Sequence, residues 1–544
     1  MSSSYRLLLG DRPFRDELSY SSSWFFLVLT PILSLLPDGG TVLQVRFAGF
    51  IIRAGAAAVL FLTFRKWLPI SLVASGLAVS ILANYPSLMV PNYYGLPFDL
   101  GFGSLACWLA GVRSTSPNRA VAWGAVAGVL FALSCLCYLP RLPLLLVPMA
   151  LAGLAVRTGN RTLARSSVAL VGFALLVYAL AAAGLVAAGL WTDFGQGVLF
   201  QAQSQLFKIS GRLSKVMSVE LRRTVPSAGL HLAFWAAALA IARRGGGRGV
   251  STRDWIGLAL LVAAYGGVLA GIYVSHGDRS VPAYGFVYSG LCWLPLLLYP
   301  VLRRFVSAHG PDCALAAGIV FLIGLGQQAV AAFTSTQAAV AGIPGVAASL
   351  LLLLLSCAVP SSAESGRTEL RLMRVAACGF CLCLGVTAAL FHFYAEQNPL
   401  RVPTAAFERG RMEGLRSSRR FVDGWSGIVD YLQPRLHRSE FLLAYENIPL
   451  LYYLTDTRPA LHASYVARFM YGPQQQRTLV DTMVTRGRVP RYAVRLMVGR
   501  ADEYVDPAYS RMPEVDPVNA YVVENYALEA RLPPFAVFRH RSLP

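Results

Sequence analysis

From residue 42 to residue 394 this chain is a succession of apolar runs, most of them as long as a bilayer is thick, separated by short polar loops. A helix needs ~20 apolar residues to cross the hydrocarbon core. In lipid, every backbone polar group must be satisfied internally, which restricts spanning segments to helices or closed barrels. The runs lie near 42–63, 68–88, 95–112, 120–139, 142–156, 166–190, 228–243, 255–274, 284–302, 313–333, 338–359 and 374–394. Long runs without strand alternation read as helices. The expected fold class is therefore mainly α, a polytopic membrane helix bundle of about 12 spans. Two runs, 95–112 and 142–156, are short enough to be partly re-entrant. Charged residues make up 14% of the chain, against about 25% in a soluble domain, which supports the same reading.

The formal charge of +20 does not point to nucleic acid, because of where the arginines lie. They fill alternate loops: Arg65 with Lys66, Arg113 with Arg119, Arg157 to Arg165, Arg243 to Arg253, Arg303 with Arg304, and Arg367 to Arg374. That ladder is the orientation signal of a polytopic protein, and it assigns the basic loops to the cytoplasm. The chain has three lysines (Lys66, Lys208, Lys215) and no GxxxxGK[ST] phosphate loop, so an ATP-driven motor is not expected. With Arg65 in the first cytoplasmic loop, twelve spans put both ends of the chain outside. Leu7–Leu9 is far too short for the apolar core of a signal peptide. A thirteenth span before Met1 is therefore expected in a full-length chain. Ser22–Leu36, about 15 residues with Pro31 inside, is marginal as a span. Its Trp24, Phe25 and Phe26 suit a helix at the headgroup level. All nine cysteines sit in or beside apolar runs and read as small core residues. Cys378 and Cys381 have no second pair or histidine cluster that would make a zinc site.

Three segments on the outer side stand out. The first is 10–23, with Asp16 and Glu17. A carboxylate held against a membrane is costly, which makes it a functional candidate. The second is the long loop 192–227, where Gln201, Gln203, Gln205, Lys208, Arg212 and Lys215 alternate with Phe200, Leu206, Phe207, Leu213, Val216 and Met217. It reads as an interfacial amphipathic helix with basic groups near phosphates, or as a plain amphipathic connector without a ligand. The third is the tail from about Tyr394. It has strand-like Phe441–Tyr445, helix-like Ile448–Thr455, a helix from Pro473 to Thr485, strand-like Tyr492–Val498, a helix from Pro517 to Glu529, and strand-like Phe535–Arg539. Proline suits a first helical turn, and such alternation predicts a small α/β domain. The chain thus divides into a membrane domain, 1–394 with outer loops 10–40 and 192–227, and a soluble extracytoplasmic domain, 395–544.

The run Gly10-Asp-Arg-Pro-Phe-Arg-Asp-Glu17, followed by Trp24-Phe-Phe-Leu-Val-Leu-Thr-Pro-Ile-Leu and Val45-Arg46-Phe47, resembles the first outer loop, interfacial helix and next span of a known family. So does Ala444-Tyr-Glu-Asn-Ile-Pro-Leu-Leu-Tyr-Tyr-Leu-Thr-Asp-Thr-Arg-Pro459 in the tail. These segments are similar to integral-membrane glycosyltransferases of the GT-C class, related to the dolichyl-phosphate-mannose-protein mannosyltransferases. The resemblance follows the order of segments along nearly the whole chain, through loose motifs. It implies a GT-C bundle. Separately, arginine outnumbers lysine 45 to 3, which suits a GC-rich bacterial genome and so a bacterial inner membrane. The loop ladder puts the C-terminal domain on the extracytoplasmic side. The implied reaction moves a sugar from a polyprenyl-phosphate-linked donor to a glycan, lipid or protein acceptor on the outer face. A divalent metal is compatible with that reaction, and the outer turn Pro91–Asp99 lacks the further acidic residues the family often carries there.

Such chemistry needs a carboxylate at the acceptor hydroxyl and cations at the departing phosphate. Asp16 matches the family's loop aspartate and is the base candidate, with Glu17 second. The alternatives are that Asp16 caps the Ser19–Leu36 helix and Glu17 faces its positive end. For donor phosphate or sugar the candidates are Arg141, His276, Arg279, Tyr284, Lys208 and Arg212. Arg141 could equally snorkel to the headgroups, and His276 with Arg279 could equally be an ordinary polar loop. Asp99 reads as a sugar or metal ligand or as a satisfied buried carboxylate. His231 and His392 are read as packed residues without a role. A transporter or lipid flippase is the competing class, but it would put its polar groups mid-span in two related halves, and no internal repeat is present. A non-catalytic assembly subunit, the third reading, would tolerate loss of Asp16 and Glu17.

Overall fold

The computed structural model describes residues 2–18, 24–36, 38–65, 69–82, 95–210, 221–246, 250–275, 286–288, 291, 364–391, 404–445, 448–466, 471–497 and 516–542. Six described helices are long and apolar enough to cross a membrane. They lie in α3 (Thr41–Phe64), α6 (Pro117–Cys137), α8 (Arg161–Ala187), α10 (Leu221–Gly246), α11 (Thr252–Ser275) and α12 (Glu364–Phe391). Each coincides with an expected run. Shorter apolar helices occupy two more, α4 (Ile70–Leu82) and α5 (Gly95–Val112). The run 142–156 is not one straight helix. Pro140 and Pro143 impose a three-ten turn over Leu139–Leu145, and α7 (Leu146–Arg157) follows it. The runs at 313–333 and 338–359, and nearly all of 284–302, lie outside the described residues.

Small residues and buried hydrogen bonds hold the bundle. A β-carbon on Gly124 would stand 2.4 Å from the Ser166 carbonyl oxygen, and one on Gly128 2.3 Å from that of Leu170. Helix α6 therefore approaches α8 more closely than any other residue at those two positions allows, as is common where helices pack in lipid. Ser104 Oγ on α5 donates to the Ala127 carbonyl at 2.8 Å, and Trp108 Nε1 donates to Ser167 Oγ at 3.2 Å. On the other side of the bundle Phe234, Trp235, Tyr265 and Phe380 pack together, with ring centroids 4.7 to 5.7 Å apart among the contacting pairs. His231 lies fully buried beside them. Its Nε2 donates to the Val287 carbonyl and its Nδ1 accepts from the Tyr265 hydroxyl, both at 2.8 Å. It is a packed, satisfied histidine, as its sequence setting implies.

The tail is an α/β unit on a five-stranded sheet of order β4-β3-β5-β7-β6. Its strands are β3 (Phe441–Tyr445), β4 (Arg458–Pro459), β5 (Tyr492–Leu496), β6 (Tyr526–Leu532) and β7 (Phe535–His540). Strand β3 runs parallel to β4 and β5, while β7 is antiparallel to both β5 and β6. Its helices are α13 (Arg419–Leu432), α14 (Leu450–Leu454), α15 (Pro473–Thr485) and α16 (Pro517–Asn525). A two-stranded ribbon of β1 (Thr404–Ala406) and β2 (Arg416–Ser418) precedes α13. The Pro473 helix has its expected bounds. The Pro517 helix, expected to reach Glu529, stops at Asn525. Residues 526–532 instead pair with β7, so a neighbouring strand overrides the local helix preference of Ala, Leu and Glu.

The sheet separates two cores. Leu442, Ala444, Tyr492, Val494 and Val537 face Trp425, Ile428 and Leu432 of α13. Leu443, Tyr445 and Ala493 face Leu479 and Met483 of α15 and Val518 and Val522 of α16. The first core also takes in Tyr5 and Leu9 from the N-terminal end, where α1 spans Ser2–Leu8, and Leu29 and Leu33 of α2 (Phe25–Leu35). Replacing Gly128 by Val should push α6 from α8 at a cost of about 1–3 kcal/mol, read as a lowered melting temperature in detergent. Gly172→Ala, on the open side of α8, should melt at or slightly above the wild-type temperature.

Candidate functional site

The segment after α1 doubles back on itself. Phe14 adopts a left-handed backbone, φ 62°, which a bulky residue holds only when its surroundings impose it. Those surroundings are Trp24, Phe26 and Phe194, whose rings lie 5.2 to 5.6 Å from that of Phe14. The turn this creates is closed twice. The Asp16 N–H donates to the Arg12 carbonyl at 3.1 Å, and the Arg12 N–H donates to Asp16 Oδ2 at 2.8 Å. Asp16 and Glu17 leave this turn pointing at the C-terminal domain. The Leu18 N–H reaches the His462 carbonyl at 2.6 Å, so the two segments run side by side.

Glu17 is fully buried and heavily bonded. It accepts from Arg6 Nη1 at 2.9 Å, from the Ser464 N–H at 3.1 Å, and from the Ser464 hydroxyl. Arg6, itself 1% exposed, also donates Nε to Asp11 at 2.6 Å. Burial pushes the pKa of Arg6 down, but the Glu17 and Asp11 carboxylates outweigh this and raise it. Arg458 Nη1 stands 3.5 Å from the other Asp11 oxygen. This grouping joins residues more than 440 positions apart.

Asp16 faces two further arginines and a histidine. Its Oδ1 takes Arg488 Nη2, with Arg486 Nη1 at 3.7 Å and His462 Nε2 at 3.9 Å. Burial alone would raise the carboxyl pKa. The Arg12 N–H and the Arg488 guanidinium outweigh burial and hold it below the usual value of 3.8. Arg486 donates to His462 Nε2 at 2.7 Å, which assigns the ring proton to Nδ1. Burial, with Arg488, Arg486 and Arg6 nearby, pushes the His462 pKa down to about 3, so the ring is neutral at pH 7.

The two arginines owe their placement to the end of α15. Gly487 has φ 64°, its N–H bonds the Val484 carbonyl, and the Arg488 N–H bonds the Met483 carbonyl. This is a glycine-terminated helix end that turns the chain sharply. It sets Arg486 and Arg488 on either side of the turn, just before β5. Sequence reasoning missed both residues. The available signal was Arg486-Gly-Arg488 at the end of a proline-started helix.

The three outer segments singled out by the sequence meet here. Helix α9 (Trp191–Ser210) touches the acidic loop through Phe194, which lies 5.9 Å from Trp24 and 5.2 Å from Phe14. It touches the tail through Phe200, which packs 5.2 Å from Tyr471 and accepts a bond from Gln475. Lys208 lies in the last turn of α9. Arg212, His276, Arg279, Tyr284 and His392 lie outside the described residues. The described helix after the acidic loop starts at Phe25 with Trp24 as its cap, residues 19–23 lie outside the described residues, and Asp16 Oδ2 accepts from the Arg12 N–H. Glu17 serves Arg6 and Ser464.

Arg141 is not part of this grouping. It lies buried in the three-ten turn before α7, with Nη1 donating to the Pro97 carbonyl and its guanidinium against Gly101. Beside it is an apolar cavity lined also by Ser104, Trp108, Phe131, Leu144 and Leu170. Asp99 is buried nearby and accepts from Arg53 Nε at 3.2 Å, the satisfied carboxylate of the plainer reading. Among the described residues no three His, Cys, Asp or Glu side chains stand together so as to hold a metal ion.

No family model matches the chain, and no curated protein does. Among solved structures it is similar to ArnT from Cupriavidus metallidurans in the apo state, at 13% identity and TM-score 0.40, over 99% of this chain and 92% of that one. It is also similar to ArnT of the same organism bound to undecaprenyl phosphate, at 13% identity and TM-score 0.35, over 95% and 88% of the two chains. None of these comparisons places the chain in a family.

Two consequences are measurable. Arg6→Met leaves Glu17 and Asp11 buried without their main cation and should cost about 3–5 kcal/mol, read by denaturant unfolding together with faster proteolysis of the N-terminal segment. The pH response has two windows. Because the folded pKa of His462 lies below its unfolded value of 6.5, the unfolded state binds the extra proton and stability falls as pH drops from 6.5 toward about 3. The stabilisation from Asp16 is complete above its ordinary 3.8 and is lost only as pH falls below that. Melting curves between pH 7 and pH 4.5 should therefore decline in the wild type and decline less steeply in His462→Asn.

Proposed function

We propose that this chain is a membrane glycosyltransferase of the GT-C type, with Asp16 as the general base. The observation that carries the reading is the acidic loop, whose residues resemble the family's first outer loop and whose Asp16 is a buried, ionised carboxylate. The loop packs between the α/β domain and α9. In the reaction, the acceptor hydroxyl attacks the anomeric carbon of a polyprenyl-phosphate-linked sugar. The bond from that carbon to the phosphate oxygen breaks, its electron pair leaves with the polyprenyl phosphate, and the hydroxyl proton passes to Asp16.

The geometry suits Asp16 better than Glu17 for that task. Glu17 spends its oxygens on Arg6 and Ser464, and we assign it to holding the loop. Asp16 Oδ2 accepts only the Arg12 N–H among the described residues, and a carboxylate oxygen has a second lone pair for an acceptor hydroxyl. Its lowered pKa keeps it ionised at working pH, the form that can accept the hydroxyl proton. Arg141, beside its apolar cavity, suits a lipid phosphate with an isoprenoid chain in the bundle. We place the acidic loop, α9 and the α/β domain on the outer face, by the arginine ladder. The acceptor is a glycan, lipid or protein on that side.

The test is transfer from radiolabelled polyprenyl-phosphate sugars in membranes with matched expression. Asp16→Asn should lower transfer by about 10²- to 10⁴-fold, the usual share of a positioned base, while retaining donor binding. Unchanged transfer in that variant would remove Asp16 from the mechanism. Absence of transfer from every donor by the wild type would sink the enzyme reading and favour the transporter class.

A further inference from the structure

We infer that Arg488 of the α/β domain is a positioning residue for the Asp16 carboxylate, so that the C-terminal domain completes the site begun by the N-terminal loop. The inference rests on the role proposed above for Asp16. It is argued from which groups face that carboxylate and from how each is already committed.

On its own loop, Asp16 meets the Arg12 N–H, and Asp11 and Glu17 lie close by in the same segment. From α1 comes Arg6, which is bound to Asp11 and Glu17 and reaches Asp16 only through space. From the segment after β4 comes His462, neutral and engaged at Nε2 by Arg486. Arg486 is thus directed at the histidine and stands farther from the carboxylate. Arg488 is the cation in direct contact. Its side chain is 14% exposed, and its guanidinium lies 5.2 Å from the centre of the Phe441 ring. The glycine-terminated end of α15 and the start of β5 fix its backbone on both sides. A side chain held this way restricts Asp16 to one orientation and supplies the charge that offsets its burial. Arg488 Nη1 is buried without a hydrogen-bond partner among the described residues, so the contact with Asp16 is the bond that secures this cation.

Removing Arg488 leaves a buried carboxylate hydrogen-bonded by the Arg12 N–H alone among the described residues, with Arg486 at 3.7 Å and Arg6 acting only through space. Burial then favours its neutral form, and the base becomes active only at higher pH. The acid limb of the kcat/KM profile should therefore move up by about one pH unit or more in Arg488→Gln, and Arg488→Lys, which keeps charge and one donor, should restore most of the shift. A purely structural arginine would lower kcat or the melting temperature without moving the limb. A second measurement needs no activity. Melting temperatures of the full chain in detergent at pH 7 are compared for wild type, Asp16→Asn, Arg488→Gln and the double variant. Arg488→Gln should destabilise strongly, and the double variant should recover roughly half of that loss or more, as coupled neighbours do. An unmoved acid limb, or additive losses in the cycle, would overturn the proposal. If the wild type transfers no sugar, the reading of Asp16 as a base falls, and the cycle still decides whether Arg488 positions it.

Discussion

The guanidinium of Arg6 is the constraint on which the polar half of this molecule depends. It is buried in an environment where a lone charge is untenable, and it is stable there because Asp11 and Glu17 both meet it. Glu17 in turn takes two donors from Ser464, so a single cation ties residues 2–18 to a loop of the C-terminal domain. The same segment supplies Tyr5 and Leu9 to the core beneath the sheet, and α2 adds Leu29 and Leu33. Apolar burial gives this attachment its strength. The ion pairs give it its register, because misaligned charges in such a seam are costly.

A second arginine repeats the device at the rim. Arg411 lies over the rings of Tyr5 and Tyr453, 4.4 and 4.5 Å from their centres, and pairs with Asp456 at 2.8 Å and Asp38 at 3.0 Å. Arginine suits this position because its planar cation stacks on aromatic faces while its edge donates to carboxylates. The acidic loop therefore rides on the α/β domain and not only on the helices that follow it in sequence. Helix α9 joins the assembly through Phe194 and Phe200. In the proposed reaction, the position of the base relative to the membrane helices is thus set by contacts of the α/β domain. A mutation in α15 or in the turn after it is expected to act on chemistry as well as on folding.

Arg141 shows a different use of the same residue type. Among the described residues it has no carboxylate in direct contact; it sits against a backbone carbonyl and the open face of Gly101, and borders an apolar cavity between α5, α6 and α8. Among the described residues its charge is met by that carbonyl and, through space only, by Asp99. That distinguishes it from Arg6, whose charge is balanced twice.

The apolar runs were legible in the sequence because crossing a bilayer demands length and composition that no local context alters; six described helices lie where those runs are. The bounds of α15 were legible for a similar reason, since Pro473 starts a helix and Gly487 ends it through backbone geometry alone. That Asp16 and Glu17 are unusual was also visible, because acidic residues beside apolar runs are rare. The fate of 526–532 was not, since only β7 decides that a helix-forming stretch becomes a strand. Nor were Arg486, Arg488, His462 and Ser464 as partners of the acidic loop. They lie more than 440 positions away, in segments whose own composition reads as an ordinary solvated surface. Local chemistry marks a buried carboxylate as unusual, but the cation that compensates it is chosen by tertiary packing, because charges pair through space and carry no record of that pairing along the chain.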